Sequence, residues 1–261
     1  MILEDFHVHT CFCDGKNSPE EMVLTAISKG ITKLGFSVHS YTPFETTYCI
    51  KKEKQAEYAA CILSLKEKYK EKISIFLGVE QDYYADEPAF EPDYRIGSVH
   101  YLKIKNQFFP VDENAVLLKK AADFGFGGDM YALCEAYFAT VSDVVKKTKA
   151  DIIGHFDLIS KFNDVSPLFD ENNPRYIAAA NKAIDALIPF NKPFELNTGA
   201  ISREYKQTPY PSTQFLKRIL DKGGKLILSS DAHDCGTLCF QFDKWGNFVS
   251  NLGYTVSKFE L

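Results

Sequence analysis

No apolar run in the chain approaches the length needed to cross a bilayer. Basic runs are missing too: 30 Lys and Arg stand against 35 Asp and Glu, for a formal net charge of -5. A phosphate-backbone footprint needs the opposite balance, so neither nucleic acid nor membrane is an expected partner. The seven cysteines are odd in number and contain no Cys-x-x-Cys pair. That argues against a disulfide framework and for a reduced, cytoplasmic setting. The acidic start, Met1-Ile2-Leu3-Glu4-Asp5, lacks the basic-then-apolar pattern of a signal peptide, and none is expected. Repeats, low-complexity stretches and linkers are absent, so one domain over residues 1–261 is the expectation. The glycine cluster at 125–128 does not follow a strand and lacks the Gly-Lys-Ser/Thr ending of a phosphate loop, so it reads as a helix boundary. No Gly-x-Ser-x-Gly elbow occurs, which argues against a serine hydrolase. Nothing in the sequence sets an oligomeric state.

What is present is an alternation. Short apolar runs at 5–10, 33–38, 73–79, 96–99, 150–154, 193–197 and 226–229 read as seven strands. Helical stretches separate most of them, which predicts βα units and a parallel sheet. The first helix is well marked: Ser18 as cap, Pro19 at the first position, Glu21 completing a capping box, and Gly30 as the stop. Further helices are expected at about 51–69, 174–188 and 213–222. An insertion-like turn and two helical stretches are expected within 105–147, and a last unit at 249–259 closes the chain.

The chemistry lies at the strand ends. His7 and His9 are two apart in a strand, so they share a face while Val8 points the other way. All six histidines, His7, His9, His39, His100, His155 and His233, fall at or just past the end of a predicted strand. In a parallel barrel those ends share one rim. Asp14, Glu80 and Asp231 come from the same rim; Asp82 and Asp157 follow two residues behind stronger candidates and read as helix caps or as groups that orient an imidazole. Cys11 and Cys13 lie beside the histidine pair but are not needed as ligands. Nine imidazole and carboxylate ligands suit zinc, manganese or iron and are too many for one ion. With a bridging carboxylate they spread over three divalent ions, leaving open positions for water and substrate. Such a cluster lowers the pKa of a bound water and stabilises a leaving oxygen.

His7-x-His9 with Asp14, then His39, Glu80, His100, His155 and Asp231-x-His233, resembles the four-motif signature of the PHP (polymerase and histidinol phosphatase) superfamily. The resemblance covers nearly the whole chain. The segments 154–163 and 195–199, Arg203 and Tyr210-Pro211-Ser212 resemble the stand-alone histidinol-phosphate phosphatases in particular. Asn197-Thr198-Gly199-Ala200 departs from their usual Asn-Thr-Ser-Gly. The resemblance implies a distorted (β/α)7 TIM-like barrel with a trinuclear metal site at the C-terminal rim. It implies one ion held by His7, His9, Glu80 and Asp231, a second by Glu80, His100 and His155, and a third by Asp14, His39 and His233. It further implies attack on phosphorus by metal-bound hydroxide, with Asp231 also taking or giving a proton; Asp231, Glu80 and His233 form the catalytic set.

A phosphate monoester also needs cations. Arg203, whose guanidinium can grip two phosphoryl oxygens, is the first candidate and Lys161 the second. Asp157, Tyr41 and Phe44 are candidates for the substrate's ammonium and imidazole. The function so implied is hydrolysis of L-histidinol phosphate, a small-molecule phosphate monoester, in histidine biosynthesis. Two alternatives remain: a phosphoesterase of the same superfamily on nucleotides or nucleic-acid ends, and a non-catalytic metal-binding interaction module.

Overall fold

In the computed structural model, which describes residues 3–261, the strands run in order as follows. They are β1 (Leu3–Asp5), β2 (Ile31–His39), β3 (Ser74–Asp82), β4 (Tyr94–Ser98), β5 (Tyr101–Ile104), β6 (Gln107–Pro110), β7 (Ile152–Ile153), β8 (Phe194–Asn197) and β9 (Leu226–Ser229). Seven of them form one parallel sheet in the order β1-β2-β3-β4-β7-β8-β9. It curls into a distorted, nearly closed seven-stranded TIM-like barrel, as the alternating pattern predicts. Between β1 and β9 the closure among the described residues is a single parallel bridge, Val8 to Ala232. Its bonds run from His9 N–H to Ala232 O (2.8 Å) and from Ala232 N–H to His7 O (3.1 Å). The buried Asp5 carboxylate fills in for the missing ladder, accepting from Ser230 N–H (3.2 Å), Ser230 Oγ–H (2.5 Å) and Cys239 N–H (3.1 Å).

Glycine makes room inside. A Cβ on Gly35 or Gly78 would strike the Tyr94 side chain, which fills the barrel between them. The Tyr94 hydroxyl donates to Phe6 O at 2.5 Å. Phe6, Tyr94, Ile96, Ile152, Ile227 and Phe259 make this inner cluster. Leu34, Phe36 and Val38 of β2 face the other way, into a larger cluster with the helix Pro19–Ser28. Alternation along β2 and β3 therefore carries His39 and Glu80 to the inner rim.

The first helix has the expected capping box and proline, and Gly30 follows it at φ +73°. The stretch 51–69 divides into a short 3-10 turn, Lys52–Lys54, and the helix Gln55–Lys68. Residues 105–147 differ from expectation. β5 and β6 pair as an antiparallel hairpin. Three helices follow: Ala115–Phe126, Met130–Val141 and Val144–Thr148. The hairpin turns on Lys105 and Asn106, both left-handed at φ 47° and 66°, without the glycine that marks such turns in sequence. The glycine cluster is the boundary it resembled: Gly127 ends one helix at φ 62° and Asp129 caps the next. The chain end also differs. The last helix is Phe242–Asn251, and an irregular tail brings Phe259 against Phe6 with ring centroids 5.0 Å apart. No helix among the described residues is long and apolar enough to cross a membrane.

Candidate metal centre

Glu80 is the hub. It is buried, and five imidazoles converge on its carboxylate. Oε1 lies 2.9 Å from His155 Nε2 and 3.3 Å from His100 Nε2, and accepts from Ser98 Oγ–H at 2.7 Å. Oε2 lies 2.8 Å from His39 Nδ1, 3.3 Å from His7 Nε2 and 3.5 Å from His9 Nε2. His233 joins through Asp14, whose two oxygens lie 3.3 Å from His233 Nε2 and 3.5 Å from His39 Nε2. Asp231 Oδ1 is 3.4 Å from His9 Nε2 and 3.7 Å from His7 Nε2. The structure thus gathers all nine candidate ligands at one rim. Asp231 itself sits at φ +50°, a backbone conformation costly for a residue with a Cβ and typical of functional sites.

Cations fit this cluster. Three groups of donor atoms lie within 4.8 Å of one another: His9, Asp14, His39 and His233; His7, His9 and Glu80; and His39, Glu80 and His100. His7 Nε2, His9 Nε2 and Glu80 Oε2 are buried and lack a hydrogen-bond partner. Buried lone pairs aimed at a common point are costly unless something accepts them, and a divalent ion does. The grouping differs in detail from the one the family resemblance implies. His39 turns Nδ1 to Glu80 and Nε2 to Asp14, so it stands between two of the sets.

Around the ligands is a layer that orients them. Glu195 Oε1 accepts from His7 Nδ1–H at 2.6 Å, which turns Nε2 toward Glu80. Its other oxygen accepts from His155 N–H (3.0 Å) and Asn197 Nδ2 (3.2 Å). Asp82 accepts from His100 N–H at 2.8 Å, and its Oδ2 lies 3.3 Å from His100 Nδ1. Cys13 Sγ lies 3.5 Å from His9 Nδ1, behind the ligand rather than among the ligands. Burial, with the Asp14 charge, pushes its thiol up to about 12. Burial, with the His39 and His233 imidazoles close by, takes His9 down to about 3, so it presents a neutral lone pair. For His7, burial works downward, yet Glu195, Glu80 and Asp231 hold it well above its ordinary value. Glu80 is held well below the carboxylate range: burial opposes this, and His7, His39 and His100 prevail.

Above the cluster opens a cavity of about 310 Å³. Both predicted cations line it. Arg203 clamps Asp231, donating from Nη2 to Oδ2 (2.8 Å) and from Nη1 to the carbonyl oxygen (3.0 Å). Lys161 donates to Asp112 O at 2.8 Å and reaches Asp112 Oδ2 at 3.2 Å. The candidates for the substrate's organic end fall elsewhere. Asp157 is buried and accepts from Ser212 N–H at 2.9 Å, and Phe44 stacks on Phe108 at 3.7 Å. Tyr41 lies under the Lys52 ammonium, 5.8 Å from ring centroid to Nζ. The cavity wall instead carries Glu45, Asp112 and Glu113 with Tyr48 and Tyr101. The loop 40–50 and the β5–β6 hairpin bring most of these, and neither path is written in a local periodicity. Glu195 lies beside Asn197 in the sequence, but only the closure of the barrel at the Val8–Ala232 bridge brings it to His7.

A sequence model of the PHP domain matches residues 5–199. A "Probable histidinol-phosphatase" of Deinococcus radiodurans is 27% identical over 249 residues, covering 91% of this chain and 89% of that one. A "Histidinol-phosphatase" of Bacillus subtilis is 26% identical over 266 residues, covering 93% and 98%. Among solved structures, the histidinol phosphate phosphatase of Lactococcus lactis, complexed with zinc, L-histidinol and phosphate, superposes with a TM-score of 0.72. It is 20% identical, and the match covers 98% of this chain and 97% of that one. At that identity the likeness is one of fold.

Proposed function

The chain belongs to the PHP domain family, and from that premise we propose that it is a metal-dependent phosphomonoesterase that hydrolyses L-histidinol phosphate to L-histidinol and phosphate. The observation that carries this is the cavity: one opening faces a buried cluster of imidazoles and carboxylates, two cations, and a wall of acids and aromatics. L-histidinol phosphate is a dianion at one end and an ammonium with an imidazole at the other, so its charge pattern complements that wall. The curated relatives named as histidinol-phosphatases span the chain almost end to end.

His7, His9, Asp14, His39, Glu80, His100, His155, Asp231 and His233 would hold three divalent ions, of which zinc fits the donor set and manganese or iron fit it too. Bound there, the ions supply Lewis-acid stabilisation and an acidified water at neutral pH. The side chains do the rest. Glu195 and Asp82 fix the faces that His7 and His100 present. When Nε2 of His233 gives its lone pair away, Nδ1 carries the proton and donates it to Asp231 O at 2.9 Å, which locks that ring. Arg203 uses two N–H groups on Asp231 and, with others of its five, grips phosphoryl oxygens; Lys161 adds a second positive charge from across the cavity. Asp231 is held well below the carboxylate range, with Arg203 and His7 prevailing over burial, so it stays ionised, and its place at the ligand rim beside His7 and His9 is what lets it take a proton from the attacking water. It returns that proton to the leaving hydroxyl oxygen of histidinol. Glu45, Asp112 and Glu113 neutralise the ammonium, and Tyr48 and Tyr101 offer ring faces to the imidazole.

The test is phosphate release from L-histidinol phosphate by the protein as purified, after chelation, and after re-addition of each metal. Release that stops on chelation and returns with zinc, manganese or iron is expected. Turnover that survives complete removal of metal contradicts the proposal.

A further inference from the structure

Lys161 and Arg203 reach the cavity from different loops, and a buried lysine joins those loops. Lys206 lies three residues after Arg203, and its side chain is 1% exposed. It does not line the cavity and is not a ligand candidate. Its Nζ instead reaches the segment that carries Lys161. It lies 3.1 Å from Ser160 Oγ, 3.3 Å from Ser160 O, 3.5 Å from Glu171 Oε1 and 3.8 Å from Asp164 Oδ1. Further contacts run beside it. Gln207 N–H donates to Asp164 Oδ2 at 2.9 Å, and the Tyr205 and Phe162 rings meet edge to face at 5.6 Å. Lys161 Nζ itself sits 5.2 Å from the Tyr205 ring centroid. An apolar side chain would fill the same space without the desolvation cost of an ammonium. What the ammonium adds is direction: its hydrogen bonds to Ser160 and its ion pairs with Glu171 and Asp164 fix one loop against the other.

We propose that Lys206 is a positioning residue for phosphate recognition, setting the separation of Arg203 and Lys161 by pairing the 199–207 loop with the 158–171 segment. This rests on the reading of Arg203 and Lys161 as the phosphate grip. Lys206 touches none of the candidate metal ligands, and Glu195, Asp82 and Cys13, which contact His7, His100 and His9, lie outside its reach.

The test uses metal-loaded protein with Lys206→Met, Glu171→Gln and Arg203→Ala, plus the double variant Lys206→Met/Arg203→Ala. In Lys206→Met, the KM for the phosphomonoester and the inhibition constant of inorganic phosphate should rise together by about tenfold or more, at unchanged metal content and nearly unchanged kcat. Glu171→Gln, which keeps the side-chain shape, should shift both constants the same way by a smaller factor and decides the matter if Lys206→Met does not fold. In the double variant, KM should be close to that of Arg203→Ala alone, because the lysine acts through the arginine. Unchanged constants in the single variants, or fully additive effects in the double, overturn the positioning role while leaving the grip intact. If Arg203→Ala itself leaves both constants unchanged, the grip is misassigned and the positioning role falls with it.

Discussion

Glu195→Gln is the most informative single change, because it keeps shape and volume and alters only which atoms accept. Glu195 is fully buried. One of its oxygens receives His7 Nδ1–H and the other receives His155 N–H and Asn197 Nδ2–H. A glutamine has one acceptor oxygen and one NH2. Whichever way the amide turns, its NH2 faces a donor: His7 in one orientation, the His155 and Asn197 groups in the other. One charge-assisted bond is lost and a donor is left unsatisfied, at a cost of about 1–3 kcal/mol. In either orientation a ligand histidine loses its anchor. Loss of such an orienting partner weakens metal binding by about 10–100-fold, or about 1.4–2.7 kcal/mol. The assay is competition with a chromophoric chelator after stripping the protein, with circular dichroism to show that the fold persists. Affinity within about threefold of the parent would refute the reasoning, since a buried carboxylate on His7 would then be dispensable.

Gly199→Ala places a Cβ 2.7 Å from Asp231 Oδ2 and 2.8 Å from Arg203 Nη2, so it should part that pair and lower kcat/KM for a phosphomonoester by about 10–100-fold; steady-state kinetics decide, and parent-like values would contradict the clamp. Metal loading at neutral pH should release protons. Against the downward effect of burial, the surrounding carboxylates keep His7, His39 and His100 above their ordinary pKa in the metal-free protein, and an ion needs their lone pairs. Release should shrink as pH rises through those values, and titration calorimetry in buffers of different ionisation enthalpy measures it; zero release at pH 7 counts against the protonated cluster. Gly78→Ala drives a methyl into the Tyr94 ring and should cost about 1–3 kcal/mol or more in urea unfolding, whereas an unchanged midpoint would mean the barrel interior is looser than described.

Much of this was written locally in the chain. His39, His100, His155 and His233 each close a short apolar run or the turn just after it, and a parallel barrel turns that position into a shared rim. The Ser18–Glu21 box and the Gly30 stop are likewise local. Features made by distant pairing were not legible. Glu195 and His7 are 188 residues apart and meet only through the closure of the barrel. The Asp5 contacts across the β1–β9 seam join residues 225 and 234 positions apart. The β5–β6 hairpin hid because Lys105 and Asn106 accept left-handed backbone without glycine. Asp112 and Glu113, just past that hairpin, take their place from it, so the sequence shows the cations of the cavity but not its acidic wall.

The most direct measurement compares kcat/KM for L-histidinol phosphate with that for p-nitrophenyl phosphate and for a dinucleotide, on one metal-loaded preparation. The account predicts an advantage of about 10³ or more for L-histidinol phosphate, equivalent to about 4 kcal/mol of recognition by the acidic and aromatic wall. Equal values, or turnover of the diester alone, would leave a metal-binding barrel whose substrate is not histidinol phosphate.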